Sequence, residues 1–368
     1  MEILMVTPYC FPEGSGLEAY VHDVADYLVG RGHGIIQVCA SKGGTKMNSL
    51  GRMAVISFRP HLMVSNTPIR VGLVKEMLAI CKKQSPDVIF AHTPVPFFAD
   101  CAATVSRKTK IPLVLCYHAG TLYKRNVILD TLSFLYAHSL EKKTLHTAKK
   151  IIVYNHFLKE NTLRAHKEKI VVVGPVVDSS FFSPQEELPG RSVLFAGQLS
   201  KAASWKGLSH LLAAIREIPR AHLRIAGDGD LMSHYQEEAS RLGIAHRVQF
   251  LGSLSREEMP SFYRSGTLLV YTPTTQNDAS PFVILESLAC GTPVLTIDKG
   301  GISSLIRPGI DSVLIDHHGE LQAAIRDTLQ DRDLMARLRK GALETGYSLG
   351  EETGSREVEE VLLNVAHG

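Results

Sequence analysis

The sequence predicts an α/β protein made of two doubly wound domains in tandem. Three observations point there. Short runs rich in Val, Ile and Leu alternate with helix-period segments through both halves, the pattern of a parallel sheet covered by helices on both faces. At 368 residues the chain is longer than one core usually organises. Between 174 and 191, "GPVVDSSFFSPQEELPGR" collects prolines, glycines, serines and acids, as a connection between domains does.

The elements follow in order. "EILMVT" is a strand, a helix runs from Leu17 to Val29, and "GIIQVCA" returns as a strand. "DVIFAH", "PLVLCYH", "KIIVYN" and "KIVVVGP" complete the first series, each strand followed by a helix or a connecting loop. The second series is "SVLFAGQ", "HLRIAGDG", "RVQFLGS", "GTLLVYTP" and "PVLTIDKG". From about 319 the pattern is helical, with a loop at "ETGYSLGEETG" and a last helix near 354–366. The expected divisions are therefore 1–177, 178–350 and a terminal helix, 351–368, packing back on the first domain. Two such domains place the carboxyl ends of two sheets opposite one another across a cleft, where such sheets bind ligands.

Composition narrows the class. The chain is 45% hydrophobic and 21% charged with a net charge of +3, too small an excess to argue for nucleic acid. Six cysteines form no CxxC pair and sit mostly in apolar runs, which predicts buried free thiols and fits a reducing cytoplasm. The start "MEILMVTPYC" has an acid where a signal peptide is basic, and no uncharged apolar run reaches the roughly 18 residues that a span requires. A cytoplasmic location is expected.

One short segment carries the first sign of a site. In "NDASPFVILESLACGTPV", Ser280 is the expected N-cap, Pro281 the first helical residue, and Gly291-Thr292-Pro293 the stop. On that helix Glu286 shares a face with Phe282, Val283, Ala289 and Cys290. Its carboxylate is therefore expected to point inward. A buried ion of this kind needs donors, from the protein or from a ligand.

Several ordered blocks carry a resemblance. "VLFAGQLSKAASWKGLSHLLAAI", "LRIAGDGDL", "VQFLGSLSREEMPSFYRSGTLLVYTP" and "SPFVILESLACGTPVLTIDKGG", preceded by "SGLEAYVHDVADYLVGRGHGIIQV", resemble the family-4 retaining glycosyltransferases of the GT-B fold. The likeness runs over nearly the whole chain. It implies two Rossmann-like domains facing a cleft, the first on the acceptor side and the second holding the donor. It also implies transfer of a sugar from a nucleotide diphosphate, UDP- or GDP-linked, with retention, by a front-face mechanism that uses no cofactor and no dedicated metal.

By the same resemblance Lys206, in "SWKG", is the phosphate-binding cation, a role that the charge of a diphosphate requires. Gln198 stands where the family usually has arginine, so leaving-group charge falls to Lys201 or another cation. Asp278 and Glu286 match two glutamates separated by seven residues, the first touching the sugar and the second the ribose hydroxyls. Phe282 and Val283 join this donor set at the helix start, and Leu254 matches a position whose backbone borders the base. Pro281 replaces a glycine, which removes one amide. In the first half, Gly16 sits in the glycine loop, with Ser15 in place of its usual glycine partner. His118 resembles the family's cleft histidine, which meets the transferred sugar, and His92 is the candidate for the acceptor.

Other signals point elsewhere or nowhere. "DGD" at 228–230 reads as a glycine turn, "DRD" at 331–333 lies in a helical tail, and His317-His318 lacks a third ligand, so no metal site is expected. Helix faces bearing Lys75, Lys82, Lys83, Lys142, Lys143, Lys149 and Lys150 are solvated, and they would also suit the inner membrane surface if the acceptor is lipid-linked. Two rival readings stand beside transfer: a sugar-nucleotide epimerase or hydrolase on the same fold, and a catalytically weak scaffold or partner protein.

Overall fold

The computed structural model describes the chain except residues 12–15, 42, 65–66, 121, 123–126, 175, 179–180, 184–191, 279–280 and 350–352. It divides into two compact units, Met1–Val176 with Thr353–Gly368, and Val177–Glu352. The expected glycine-loop position Ser15 and N-cap Ser280 lie outside the described residues.

The first unit contains β1 (Glu2–Tyr9), β2 (Gly34–Ala40), β3 (Lys46–Leu50), β4 (Met53–Phe58), β5 (Leu62–Val64), β6 (Thr67–Ile69), β7 (Val88–Thr93), β8 (Leu113–Tyr117), β9 (Lys150–Val153) and β10 (Ile170–Val172). Eight of these form one sheet in the order β10-β9-β8-β7-β1-β2-β4-β3, parallel except for the edge pair β3/β4. Its helices are α1 (Gly16–Gly30), α2 (Leu73–Gln84), α3 (Phe98–Thr109), α4 (Val127–Tyr136) and α5 (Lys142–Thr147). Ile3 to Val6 and Val88 to Ala91 are fully buried, which is why these strands read as unbroken apolar runs. The edge pair β3/β4 and the hairpin β5/β6 escape the sequence reading: residues 46–48 of β3 and all of β5 are exposed and lack that signature, whereas β4, "MAVISF", is a partly buried apolar run that the reading passes over.

The second unit holds β11 (Ser192–Ala196), β12 (His222–Ala226), β13 (Val248–Phe250), β14 (Leu268–Tyr271), β15 (Val294–Ile297) and β16 (Ser312–Ile315), all parallel, in the order β13-β12-β11-β14-β15-β16. Around them lie α6 (Leu208–Arg216), α7 (Met232–Arg241), α8 (Met259–Arg264), α9 (Phe282–Ala289), α10 (Leu321–Gln330) and α11 (Arg332–Leu349). One core packs on each sheet face, around Leu211, Leu212 and Ile325 on one side and Ile284, Leu285 and Leu288 on the other.

Three expectations need correction. The loop expected at "ETGYSLGEETG" is helix as far as Leu349. Its glycine is a packing position: a Cβ on Gly346 would lie 2.7 Å from the Ala289 carbonyl oxygen, so this residue lets α11 approach α9. Pro281 is the N-cap of α9, and the helix begins at Phe282. Not all six cysteines are free, because Cys10 and Cys39 form a disulfide, with Cα atoms 5.6 Å apart, while Cys81, Cys101, Cys116 and Cys290 are buried thiols. The bonded pair has no sequence spacing to betray it. It forms where adjacent parallel strands β1 and β2 end side by side, Tyr9 pairing with Ala40.

The terminal helix α12 (Thr353–His367) belongs to the first unit. Val358 and Leu362 are buried, and Glu359 accepts from Tyr27 at 3.3 Å and lies 2.8 Å from His33 Nε2. Residues more than 300 positions apart thus close one core.

Candidate functional site

In each unit the strand order reverses at one point, between β1 and β7 in the first and between β11 and β14 in the second. Loops leaving neighbouring strands at such a point diverge to opposite sides and leave a crevice at the carboxyl ends. Lys206 and Asp278 meet at the second of these points, and His92 and His118 meet at the strand ends beside the first.

In the second unit, β11 runs into Gly197 and the exposed Gln198, while β14 ends at Tyr271. A turn of 3₁₀ helix, Lys201–Lys206, is tied to the loop after β14, because the Thr274 amide donates to the Trp205 carbonyl at 2.7 Å. That tie brings Lys206 within 3.7 Å of Asp278, both side chains being mostly buried. The Lys206 stem lies against Gly197, where a Cβ would come within 2.8 Å of its Cδ. The ammonium sits 4.9 Å from the Trp205 ring centre and 5.3 Å from that of Tyr271, a geometry in which ring faces attract a cation. Tyr271 donates to Asp278 Oδ2 at 2.9 Å, and burial followed by the Asp278 charge holds its phenol well above the ordinary value, so it stays a donor. Lys201, by contrast, is exposed, and its backbone amide caps onto Asp230 at 2.9 Å. In "DGD", Asp228 accepts the Gly229 amide of its own turn at 2.7 Å and Asp230 accepts the Lys201 amide, so both acids bond backbone N–H groups.

Glu286 occupies the inward face of α9 and receives the Tyr263 hydroxyl on Oε2 at 2.6 Å. Burial raises its pKa, and the Tyr263 bond and the charge of Arg256 pull it back down. Among the described residues, Oε1 has no hydrogen-bond partner, so one oxygen of this carboxylate is left to accept from a ligand. Phe282 and Val283 are half-buried on the first turn of the same helix, and Leu254 is half-buried against the α9 core. Trp205, Tyr263 and Tyr271 are additions to the sequence-predicted set. Their signal is the requirement that inward-facing acids have donors, which the sequence raises without naming them.

In the first unit, parallel pairing sets His92 opposite Cys116, and His118 follows two residues on, so all three share one face at the strand ends. His92 Nδ1 and His118 Nε2 are 3.0 Å apart. Tyr20, from α1, meets the His118 ring edge-on at 5.2 Å, and the Cys116 sulfur lies 2.9 Å from the Tyr154 hydroxyl. Gly16 opens α1. The outer nitrogens, His92 Nε2 and His118 Nδ1, are buried without a partner among the described residues. One ring must donate to the other, so one outer nitrogen carries a proton and the other a lone pair. This arrangement can both give and take a hydrogen bond.

Ligand atoms of His92, Cys116 and His118 lie within 4.8 Å of one another; Cys116 and His118 are two positions apart, and His92 joins them only through strand pairing. Burial pushes the Cys116 thiol up to about 12, although bonds to Tyr154 and Tyr20 oppose the shift, so the sulfur is a protonated member of the network.

Burial drives the His118 pKa down to about 3 and, with the His118 charge added, holds His92 well below its ordinary value. Both are neutral when folded and charge readily when unfolded, so stability present above the unfolded value of about 6.5 is lost as pH falls. Glu141 opposes this. Burial raises it to about 7, against the pull of its bond to Tyr117, and its contribution fades as pH rises toward that value. Between pH 4.5 and 6.5, roughly, urea melts followed by circular dichroism should show His92→Asn flattening the acid loss and Glu141→Gln steepening it. Parallel profiles for all three proteins would remove both assignments.

The second of the two doubly wound units thus sets a cation, an acid and aromatic donors at its switch point, with a second inward acid on the helix that follows. Family models sharpen the class: "Glycosyltransferase Family 4" matches residues 14–181 and "Glycosyl transferases group 1" matches residues 177–345. The chain belongs to this group of GT-B glycosyltransferases and is a transferase enzyme. It is 22% identical over 321 residues to a component of the phosphatidylinositol N-acetylglucosaminyltransferase of Arabidopsis thaliana, covering 83% of this chain and 69% of that one. It is 26% identical over 302 residues to D-inositol 3-phosphate glycosyltransferase 1 of Catenulispora acidiphila, covering 72% and 69%. Among solved structures, sucrose-phosphate synthase from Thermosynechococcus elongatus matches with a TM-score of 0.80 at 18% identity over 99% of both chains. HepE of Anabaena, solved with UDP and glucose, matches with a TM-score of 0.79 at 19% identity over 99% of this chain and 100% of that one.

Proposed function

We propose that this enzyme transfers a hexosyl group from a UDP- or GDP-linked sugar to an acceptor hydroxyl with retention of configuration, the second unit binding the donor. The observation that carries this reading is Glu286, an inward acid with one oxygen open, on the helix that follows the loop carrying Asp278. In this reading Glu286 accepts from the ribose hydroxyls and Asp278, steadied by Tyr271, meets the sugar. Lys206, held against the Trp205 and Tyr271 rings, meets the diphosphate in competition with Asp278. The bond from the anomeric carbon to the phosphate oxygen breaks, the acceptor oxygen bonds on the same face, and the acceptor proton passes to the departing phosphate. His118 orients the transferred sugar and His92 holds it through their shared hydrogen bond. The first unit serves the acceptor, with the chain at the inner membrane surface. HepE, whose structures contain UDP, and the inositol-directed relatives support the donor and acceptor classes.

A thermal-shift screen of UDP, GDP and their sugar conjugates tests the reading. Binding to the folded state alone stabilises it, by about 2.7 kcal/mol at one hundred times Kd, so one nucleotide series should raise Tm. No shift with either base, in protein that also releases no nucleotide from any donor, would overturn it.

Two further outcomes follow. Gln198→Arg should raise turnover more than donor affinity, since a cation there meets charge that grows during departure. If Lys201 already serves that role, Gln198→Arg changes little and Lys201→Ala is damaging. Transfer should also persist after exhaustive chelation. Loss restored by one specific metal would contradict the metal-free reading.

A further inference from the structure

The first unit carries an apolar pocket of about 290 Å³ lined by Val64 and Ile69 of the β5/β6 hairpin, by Val95 and Pro96, and by Leu129 and Leu132 of α4. At roughly 30 Å³ for a water-sized group, it has room for about ten of them. Three of its lining side chains are polar, and two of those are engaged: the Tyr136 hydroxyl donates to Asp100 at 3.4 Å and Ser133 donates to the Leu122 carbonyl at 3.5 Å, which leaves the Thr67 hydroxyl. A peptide entering this pocket would bury several amides against one hydroxyl. A hydrocarbon chain would not.

The rim is apolar as well. On α4, Val127 is 84% exposed, Ile128 73%, Leu132 50% and Leu135 57%, and the hairpin adds exposed Leu62, Met63 and Val64. A soluble surface seldom leaves so many large apolar side chains together. Asp130 is the single charged residue of α4, whereas the helical segment that continues it presents exposed Lys142 and Lys143. Among the described residues, no helix is long and apolar enough to cross a membrane. An apolar face followed by cations suits a helix lying at an anionic lipid surface.

We propose that α4 and the β5/β6 hairpin rest on an anionic bilayer and that the pocket between them takes one acyl chain of a membrane lipid. This rests on the transferase reading only in giving that lipid a role as the acceptor or its neighbour. The full-length chain should float with vesicles of phosphatidylcholine and phosphatidylglycerol, and about tenfold less with phosphatidylcholine alone. Leu135→Glu on the exposed face and the pair Lys142→Glu with Lys143→Glu should each lower flotation by a similar factor. In methyl-labelled protein, dihexanoyl-phosphatidylglycerol below its micelle concentration should shift Val64, Ile69, Leu129 and Leu132, leave Leu288 of the second unit unmoved, and lose its effect in Ser133→Phe. Nucleotide titrations of the same variants should match wild type, so loss of the donor reading and loss of this one are told apart. Three results would overturn the proposal: flotation indifferent to these changes, methyl shifts spread over both units, or sedimentation showing a dimer that Leu135→Glu dissociates.

Discussion

Lys206→Ala is expected to lower turnover by about 10²- to 10³-fold, the loss typical when one donor to a developing oxyanion is removed, roughly 2.7–4 kcal/mol. Gly197 without a Cβ, the ring faces of Trp205 and Tyr271, and the Thr274 tie to the Trp205 carbonyl hold the ammonium in place before any ligand arrives. That preorganisation is why the effect should appear in kcat more than in KM. The fold should survive, since Asp278 retains its bond from Tyr271. Lys206→Arg restores charge without the compact ammonium that fits between the rings, so partial recovery is expected. Steady-state transfer and Tm measured on both variants check this, and wild-type kcat in a folded Lys206→Ala protein would remove Lys206 from the leaving-group site.

Glu286→Ala should weaken the free nucleotide diphosphate and the intact donor alike, because its proposed partner is ribose and not sugar. A charge-assisted hydrogen bond contributes about 1.5–3 kcal/mol, which is roughly ten- to one-hundred-fold in Kd. Tyr263→Phe removes the neighbouring donor and should cost less, the carboxylate still being available to the ligand. Loss confined to the donor, with free nucleotide unaffected, would move Glu286 to the sugar. Competition assays with nucleotide and donor separate the cases.

The strands and their order of appearance are legible in the sequence because buried parallel strands carry continuous apolar runs, as Ile3 to Val6 and Leu268 to Tyr271 show. So is the inward turn of Glu286, a consequence of helical period alone. What escapes depends on residues that only the folded chain brings together. Nothing in the sequence pairs Cys10 with Cys39, or His92 with Cys116, until strands lie side by side. Gly346 lies in a segment that reads as loop and is a helix contact instead, since helix-breaking propensity yields where another backbone must come close. Lys206 and Asp278, 72 positions apart, carry separate roles when read singly, yet the fold joins them as an ion pair that a diphosphate must compete with.

Calorimetric titration of UDP and of GDP into the wild type and Glu286→Ala tests the central claim most directly, that the switch point of the second sheet is a nucleotide site. One of the two nucleotides should saturate the wild type at one per chain, and the variant, melting at the same temperature, should bind it about tenfold or more weakly. Equal affinity in the two proteins, or heat from neither nucleotide, would contradict it.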